Sequence, residues 1–400
     1  MLSNKTDIDG FIKERFQEKG GMKMKRLLAL LLVVVMVISL VACGQSNGTS
    51  TSENNASSGT SSTNSTADAA KSSSDLTTVT VAMPSALEVL GYANWLCAIY
   101  NGYFEEEGLK VVMVPQAGTD VCKMLQSGEA DFAAPAPALL FTASISGIDM
   151  KVVYQHDCNN IFGFAVMANS GINTWSDLNN KSIVTDSSWY YLCDPVLEAA
   201  GVDVDSIDFV SAADERSVLL SAGTVSAAFT WQKEWQLWQA EGMDIKYLNG
   251  EDVLKNTSNA LVCLTSYYED PQNAKIIQAL GRGLAKGTYF CECNPDAAAA
   301  ITVNRWPTLG ITAAEAKPSI EALVTCATPD SHVYGESDMD RWKVTLDWLA
   351  KYNIVDSSKI DLNSLLKSSE FTEAYNNWDT TAFKNTAEKF DVSSVKNWTD

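Results

Sequence analysis

The sequence predicts an α/β fold of two lobes, each a mostly parallel sheet flanked by helices, with a helical tail. Three observations carry this. Short β-rich runs alternate with helical stretches from about Thr77, the alternation restarts near residue 182, and from Pro271 onward the chain reads as mainly helical. In the first run, TVTVAM (centred on 79–83) is a buried strand and Glu88 to Asn101 a helix stopped near Gly102. LKVVMV (109–114) is a strand and Thr119 to Gln126 a helix. DFAAP (131–135) is a strand, Ala136 to Ser146 a helix, and MKVVYQ (150–155) a strand. In the second run, SIVTD (182–186), IDFV (207–210), AAFTW (227–231) and DIKYL (244–248) are strands. Helices over 189–200, 213–222 and 232–241 separate them.

The ends of the predicted elements follow from residue chemistry. Gly102, Gly108 and Gly128 come after helical stretches, where glycine takes the left-handed cap without strain. Phe104 should pack inward between them. Asp131 and Asp177 begin new elements, where a short acid can accept backbone N–H bonds.

Ahead of this body lie segments of another kind. Lys23, Lys25 and Arg26 precede an uncharged apolar run of 15 residues, Leu27 to Val41. That is short of the roughly 20 residues a spanning helix needs. A positive flank, a short apolar run and small residues before a break are the marks of an export signal. The break, Leu40-Val41-Ala42-Cys43-Gly44, resembles a bacterial lipobox, which implies acylation of Cys43. Residues 1–21 mix charges of both signs and read as an upstream extension, with translation starting at Met22 or Met24. Residues 22–42 are then the signal. Residues 43–76 are the lipidated Cys and a linker of Ser, Thr, Asn, Gly and Ala that has nothing to bury.

The formal charge of the chain is −20, and removing residues 1–42 leaves 22 basic against 45 acidic residues. Such a surface repels phosphate backbones, which argues against nucleic-acid binding. The only histidines are His156 and His332, so a multi-histidine metal site is excluded. Cys291-Glu-Cys293 lacks a partner pair at ligand spacing, and no G-x-S-x-G or phosphate-binding glycine loop is present. No cofactor, metal or catalytic residue is therefore expected, which weighs against an enzyme. Of nine cysteines, eight follow Cys43, and their spacing gives no disulfide framework.

Several motifs in order resemble one family. NGYFEEEGL (101–109) is similar to the G-x-F-x-x-x-G-L signature of nitrate/sulfonate/taurine and thiamine-pyrimidine type solute-binding proteins. LQSGEADFA (125–133), TWSDLNNK (174–181), SAGTVSAAFTW (221–231) and NPDA (294–297) resemble later family segments. Asn180 stands where the family has Gly, and Ser226 where it has Asp. The resemblance implies a periplasmic-binding-protein type II fold with ligand held between two lobes. It implies crossings near Phe164 to Ala168 and Leu261 to Thr265, with lobe one at 77–164 plus 266–400 and lobe two at 165–262. It also implies an extracytoplasmic, lipid-anchored monomer that serves an ABC importer permease with its ATPase.

Ligand sites in open α/β sheets lie at the carboxyl ends of strands. In the first lobe that rule selects Ser85, Tyr92, Asn94, Trp95, His156 and Asp157. Trp95 is either cleft or core, and His156 either a contact or a hydrogen-bonded structural residue. In the second lobe it selects Asp186, Ser187, Ser188, Trp189, Trp231 and Glu234. The serines either cap a helix or bind an acceptor group there. Trp231 could stack on a planar ligand and Glu234 could pair with a cation. Trp235 and Trp238, at helical spacing from Trp231, read as core. The loop from Pro84 to Tyr103 holds no Lys or Arg, and Lys233 is the one cation near the second-lobe candidates. The expected ligand is therefore a neutral or cationic heterocycle, such as a thiamine-type pyrimidine. A sulfonate or nitrate at the serines is the alternative, and a pyrimidine-synthase-like enzyme a weaker one.

Overall fold

The computed structural model describes residues 76–116, 120–212 and 215–399. The predicted extension, signal and linker, with Cys43, lie outside the described residues. Among the described residues, ten strands form two five-stranded sheets. The first contains β1 (Thr77–Met83), β2 (Leu109–Pro115), β3 (Phe132–Ala133) and β4 (Met150–Gln155). The second contains β5 (Phe162–Met167), β6 (Ser182–Thr185), β7 (Asp208–Ser211), β8 (Ala227–Trp231) and β9 (Ile245–Asn249). The last strand, β10 (Ala260–Leu264), returns to the first sheet.

Strand order is β2-β1-β3-β10-β4 in the first sheet and β7-β6-β8-β5-β9 in the second. Each sheet is parallel but for one strand. β10 runs antiparallel to β3 and β4, and β5 runs antiparallel to β8 and β9. The reversed strand is in each case the first to arrive from the other sheet. The chain crosses over residues 156–161 and back over 250–259. The predicted crossings at Phe164–Ala168 and Leu261–Thr265 fall in β5 and β10, which are paired strands of the two sheets. Residues 162–167 read poorly as a strand because of Gly163. A Cβ there would meet the Leu248 carbonyl oxygen at 2.3 Å and the Tyr247 ring at 2.7 Å, so the glycine lets that ring lie over the strand.

The helices follow the predicted alternation: α1 (Ala93–Tyr100), α2 (Tyr103–Glu106), α3 (Asp120–Ser127), α4 (Pro137–Ile145), α5 (Tyr190–Ala199), α6 (Arg216–Ser221) and α7 (Gln232–Ala240). The tail adds α8 (Thr265–Glu269), α9 (Ala274–Cys293), α10 (Pro295–Arg305), α11 (Ala313–Ala327), α12 (Met339–Lys351) and α13 (Thr380–Ala387). None of the described helices is long and apolar enough to cross a membrane.

Strand alternation divides the core. Val79, Val81 and Met83 of β1 face one apolar cluster and Ala82 the opposite one. In the second sheet Phe164, Ile183 and Phe229 face one side, and Ala165, Val184 and Ala228 the other. Gly102, Gly108 and Gly128 all have positive φ, as their cap roles require. Asn180 takes φ 60°, so it supplies the left-handed turn in place of glycine. Ser226 pairs with Ser182 instead of carrying an acid there. Asp131 Oδ2 accepts the Thr80 N–H at 2.8 Å, and Asp177 Oδ2 those of Asn173 and Thr174 at 2.9 and 2.8 Å.

The two crossings bond to each other. The Asn259 carbonyl accepts the N–H groups of His156 and Asp157, and the Asp157 carbonyl accepts that of Ser258. The buried Gln155 amide donates to the carbonyls of Asp157, Ser258 and Asn259, and its Oε1 accepts Trp342 Nε1–H at 2.8 Å. From α12, Arg341 binds both carboxylate oxygens of Glu251 and the Asn256 carbonyl.

Candidate functional site

The carboxyl ends of three adjacent parallel strands deliver one cluster. β6 runs into the turn that carries Trp189, the next helix after β7 (α6) opens on Arg216, and β8 ends on Trp231. The Arg216 guanidinium carbon lies 4.7 Å from the Trp189 ring centre and 5.1 Å from that of Trp231. The two indoles meet edge to face at 5.5 Å, and Phe162 adds a third ring against Trp189. Arg216 Nη2 donates to both carboxylate oxygens of Glu234, at 2.8 and 3.0 Å. The Thr230 hydroxyl donates to the same carboxylate. Arg216 is 5% exposed, yet its Nε–H meets no acceptor among the described residues.

The second cluster joins the first lobe to the crossing. Asp157 Oδ1 faces Lys233 Nζ, and Oδ2 faces His156 Nδ1, both at 3.4 Å. Burial raises the Asp157 carboxyl, but Lys233 and His156 outweigh it and hold the group well below the usual carboxylate range. Trp95 Nε1–H donates to His156 Nε2 at 2.8 Å. An indole N–H can only donate, so that Nε2 carries a lone pair and the imidazole proton sits on Nδ1, toward Asp157. Asn94 Nδ2 is 3.4 Å from the same Nε2 and donates to Thr288 Oγ1 at 3.1 Å. Ser85 Oγ and the Tyr92 hydroxyl share a 2.6 Å bond. The Tyr92 phenol is pushed up to about 12, first by burial, against the Ser85 bond and with help from Asp157, so it remains a neutral donor. Residues 231–234, the end of β8 and the first turn of α7, link the two clusters.

The structure therefore gathers Trp189, Trp231 and Glu234 in one place and His156, Asp157, Asn94 and Trp95 in another. Trp95 is fully buried against Phe104 and belongs to the core. His156 is committed to Trp95 and Asp157. Trp238 is core, and Trp235 stacks on Tyr247. Asp186 is half-buried and its carbonyl accepts the Trp189 N–H at 2.9 Å. Ser187 is half-buried and starts the turn Ser187–Trp189, to which Ser188 also belongs. Trp189, the N-cap of α5, makes no side-chain cap bond.

Sequence reasoning missed Arg216. It is the one Lys or Arg between Lys181 and Lys233, and it follows a predicted strand end, so a signal was present. Lys233 is no free cation either, since it is spent on Asp157.

Comparison with known proteins fits this arrangement. A family model described as NMT1/THI5 like matches residues 91–298. The chain belongs to that family. A formylaminopyrimidine-binding protein of Halalkalibacterium halodurans is 23% identical over 289 residues, covering 68% of this chain and 85% of the relative. Among solved structures, a sulfonate-binding protein of Methylobacillus flagellatus aligns with TM-score 0.57 at 17% identity, over 79% of this chain and 96% of its own. The aliphatic sulphonate binding protein of Escherichia coli aligns with TM-score 0.55 at 15% identity, over 72% and 91%. The nitrate-binding protein of Synechocystis aligns with TM-score 0.54 at 12% identity, over 78% and 91%. At these identities the structures establish the two-lobed fold alone. As an NMT1/THI5-like protein, the chain carries at its strand ends two indoles, one arginine and two buried ion pairs. Among the described residues, no group of three or more His, Cys, Asp and Glu is placed to hold a metal.

Proposed function

We propose that this protein is an extracytoplasmic solute-binding protein, anchored through a lipid on Cys43, that captures a small planar heterocycle between its lobes for an ABC importer. The observation that carries the reading is the pair of half-buried indoles at adjacent strand ends, set among charges that are already balanced. The two acids nominated for a cationic ligand, Asp157 and Glu234, hold Lys233 and Arg216. Charge neutrality narrows the ligand from neutral or cationic to neutral. The pyrimidine named for the Halalkalibacterium halodurans relative is of that kind. The ligand-contacting set is proposed as Ser85, Tyr92, Asp186, Ser187, Ser188, Trp189, Trp231 and Glu234. Asn94, Trp95, His156 and Asp157 support it from the core, where Asp157 holds Lys233. The protein acts as a monomer, with the importer's permease and ATPase as partners.

Binding rather than catalysis is supported by the thiols. Burial pushes Cys122, Cys263 and Cys326 up to about 12 and Cys293 up to about 11, which disfavours a thiolate nucleophile. An oxyanion at the turn Ser187–Trp189 ahead of α5 is the second reading, favoured by the sulphonate- and nitrate-binding proteins that share the fold. A thermal-shift screen of the purified protein separates the two. Formylaminopyrimidine should raise the melting temperature, because a ligand that binds only the folded state must do so. Stabilisation by ethanesulfonate or nitrate and not by pyrimidines would replace the first reading with the second.

A further inference from the structure

Arg216 is an unusual group to find between two indoles meant for a ligand. It is nearly buried, and its charge is met by Glu234 through Nη2 alone. Its Nε–H is enclosed and meets no acceptor among the described residues. An enclosed donor without a partner costs about 1–3 kcal/mol, so a fold that keeps one at a binding site keeps it for something that arrives. The surroundings say what arrives. Trp189 and Trp231 lie at the ends of β6 and β8, which are neighbours in the sheet, and Arg216, the first residue of α6, lies against both rings, so the donor lies where a ligand at the strand ends would lie. Glu234 cancels the guanidinium charge, so the acceptor need not be an anion.

Resting on the heterocycle reading above, we infer that Arg216 is the specificity-determining residue of the site. Its Nε–H donates to a neutral carbonyl-type oxygen, of formamide or carboxamide kind, carried by a planar ring that packs against Trp189 and Trp231. Glu234 is what keeps the site selective for a neutral acceptor over an oxyanion. With Glu234 charged, an arriving sulfonate meets a neutral pair and a nearby carboxylate. Without that charge, the same guanidinium becomes an anion site.

The test uses titration calorimetry on the full protein with two probes, formylaminopyrimidine and the same pyrimidine without its formyl group. The natural chain should prefer the formyl compound by about ten- to a hundredfold, the scale of one hydrogen bond from a charged donor. R216K keeps the charge beside Glu234 and loses the Nε–H, so any discrimination by charge survives and only the hydrogen bond goes. In R216K the preference should collapse to about threefold or less, the remainder expected once that bond is gone. A second arm uses Glu234→Gln, which keeps an oxygen facing Arg216 and Thr230. Its affinity for ethanesulfonate should rise by about tenfold or more, as an unmatched guanidinium dictates. A natural chain that binds neither pyrimidine overturns the proposed function and this inference together. A natural chain that binds both pyrimidines alike, an R216K protein that keeps the preference, or a Glu234→Gln protein with no gain for ethanesulfonate overturns this inference alone.

Discussion

Trp231 and Trp189 carry the apolar part of the proposed contact. Each is half-buried, and each lies against the same guanidinium. Replacing either with Ala should weaken ligand binding by about 1–3 kcal/mol, the scale of a buried aromatic anchor, measured by calorimetry. Unchanged affinity in both variants would remove the pair from the site. Asp157 makes a stability prediction instead. Its carboxyl is held below the ordinary range by Lys233 and His156, so it contributes stability above the unfolded pKa of about 4 and loses it as pH falls. Asp157→Asn leaves Lys233 buried without its counter-charge and should cost about 3–5 kcal/mol at neutral pH. In urea unfolding the gap between the two proteins should be flat above about pH 5 and narrow below about pH 4, since there the unfolded chain's carboxyl takes up a proton while the folded one stays ionised. A gap independent of pH would show that Asp157 acts by shape alone. The residue scale is also where the sequence was hardest to read. Trp231 and Glu234 were visible because they follow a plain strand, AAFTW. Which charge meets Glu234 depends on a side chain 18 positions away, across a sheet, and nothing in local pattern ranks Arg216 above the nearer Lys233.

Among the elements, α1 and α9 pack with their backbones close together. Gly287 of α9 lies where a Cβ would be 2.2 Å from the Asn94 carbonyl oxygen and 2.9 Å from the Ala98 methyl. Backbone cannot yield as a flexible side chain can, so Gly287→Ala must push the helices apart. The expected cost is about 1–3 kcal/mol, as for other overpacked cores, read from denaturant unfolding. Because α1 also carries Asn94 and Trp95, the same change should loosen the hold on His156. Gly91 is the control: its Cβ would meet only Lys233 and Val89 side-chain atoms at 3.7–4.0 Å, ordinary contact distance. Equal stability of the Gly287→Ala and natural proteins would contradict the described packing. Element existence was legible throughout, since periodicity and glycine stops are local signals. β5 and β10 were the exceptions. Their partners are distant in sequence, and β5 contains a glycine whose purpose is to admit the Tyr247 ring.

For the whole molecule, the question is how two sheets joined by paired crossings respond to a ligand. Contacts between the layers exist beyond the crossings. Tyr191 of α5 stacks on Trp348 of α12 at 6.2 Å, Lys351 pairs with Glu198, and the Ser319 hydroxyl of α11 donates to the Lys233 carbonyl. The crossings themselves are held by Gln155, Trp342 and Arg341, so any closure of the lobes should pivot there. Ligand that contacts both lobes shifts the balance toward the closed form. Small-angle scattering should therefore give a smaller radius of gyration with the cognate compound than without it. Identical curves would refute closure and leave a preformed pocket. The fold family was legible from ordered motifs, whereas the positions of the crossings were misplaced by several residues. A crossing has no sequence signature of its own. It is defined by which sheet each flanking strand joins.

The reversed strand in each sheet has a consequence for how the chain comes off the ribosome. All five strands of the second sheet lie within residues 162–249, so that half can assemble as soon as it has emerged. The first sheet cannot. Until residues 260–264 are made, β3 and β4 have no strand between them, and each offers an unsatisfied edge to other nascent chains. A half begun first is thus finished last, and its interval of exposure is set by the time needed to translate everything between β4 and β10.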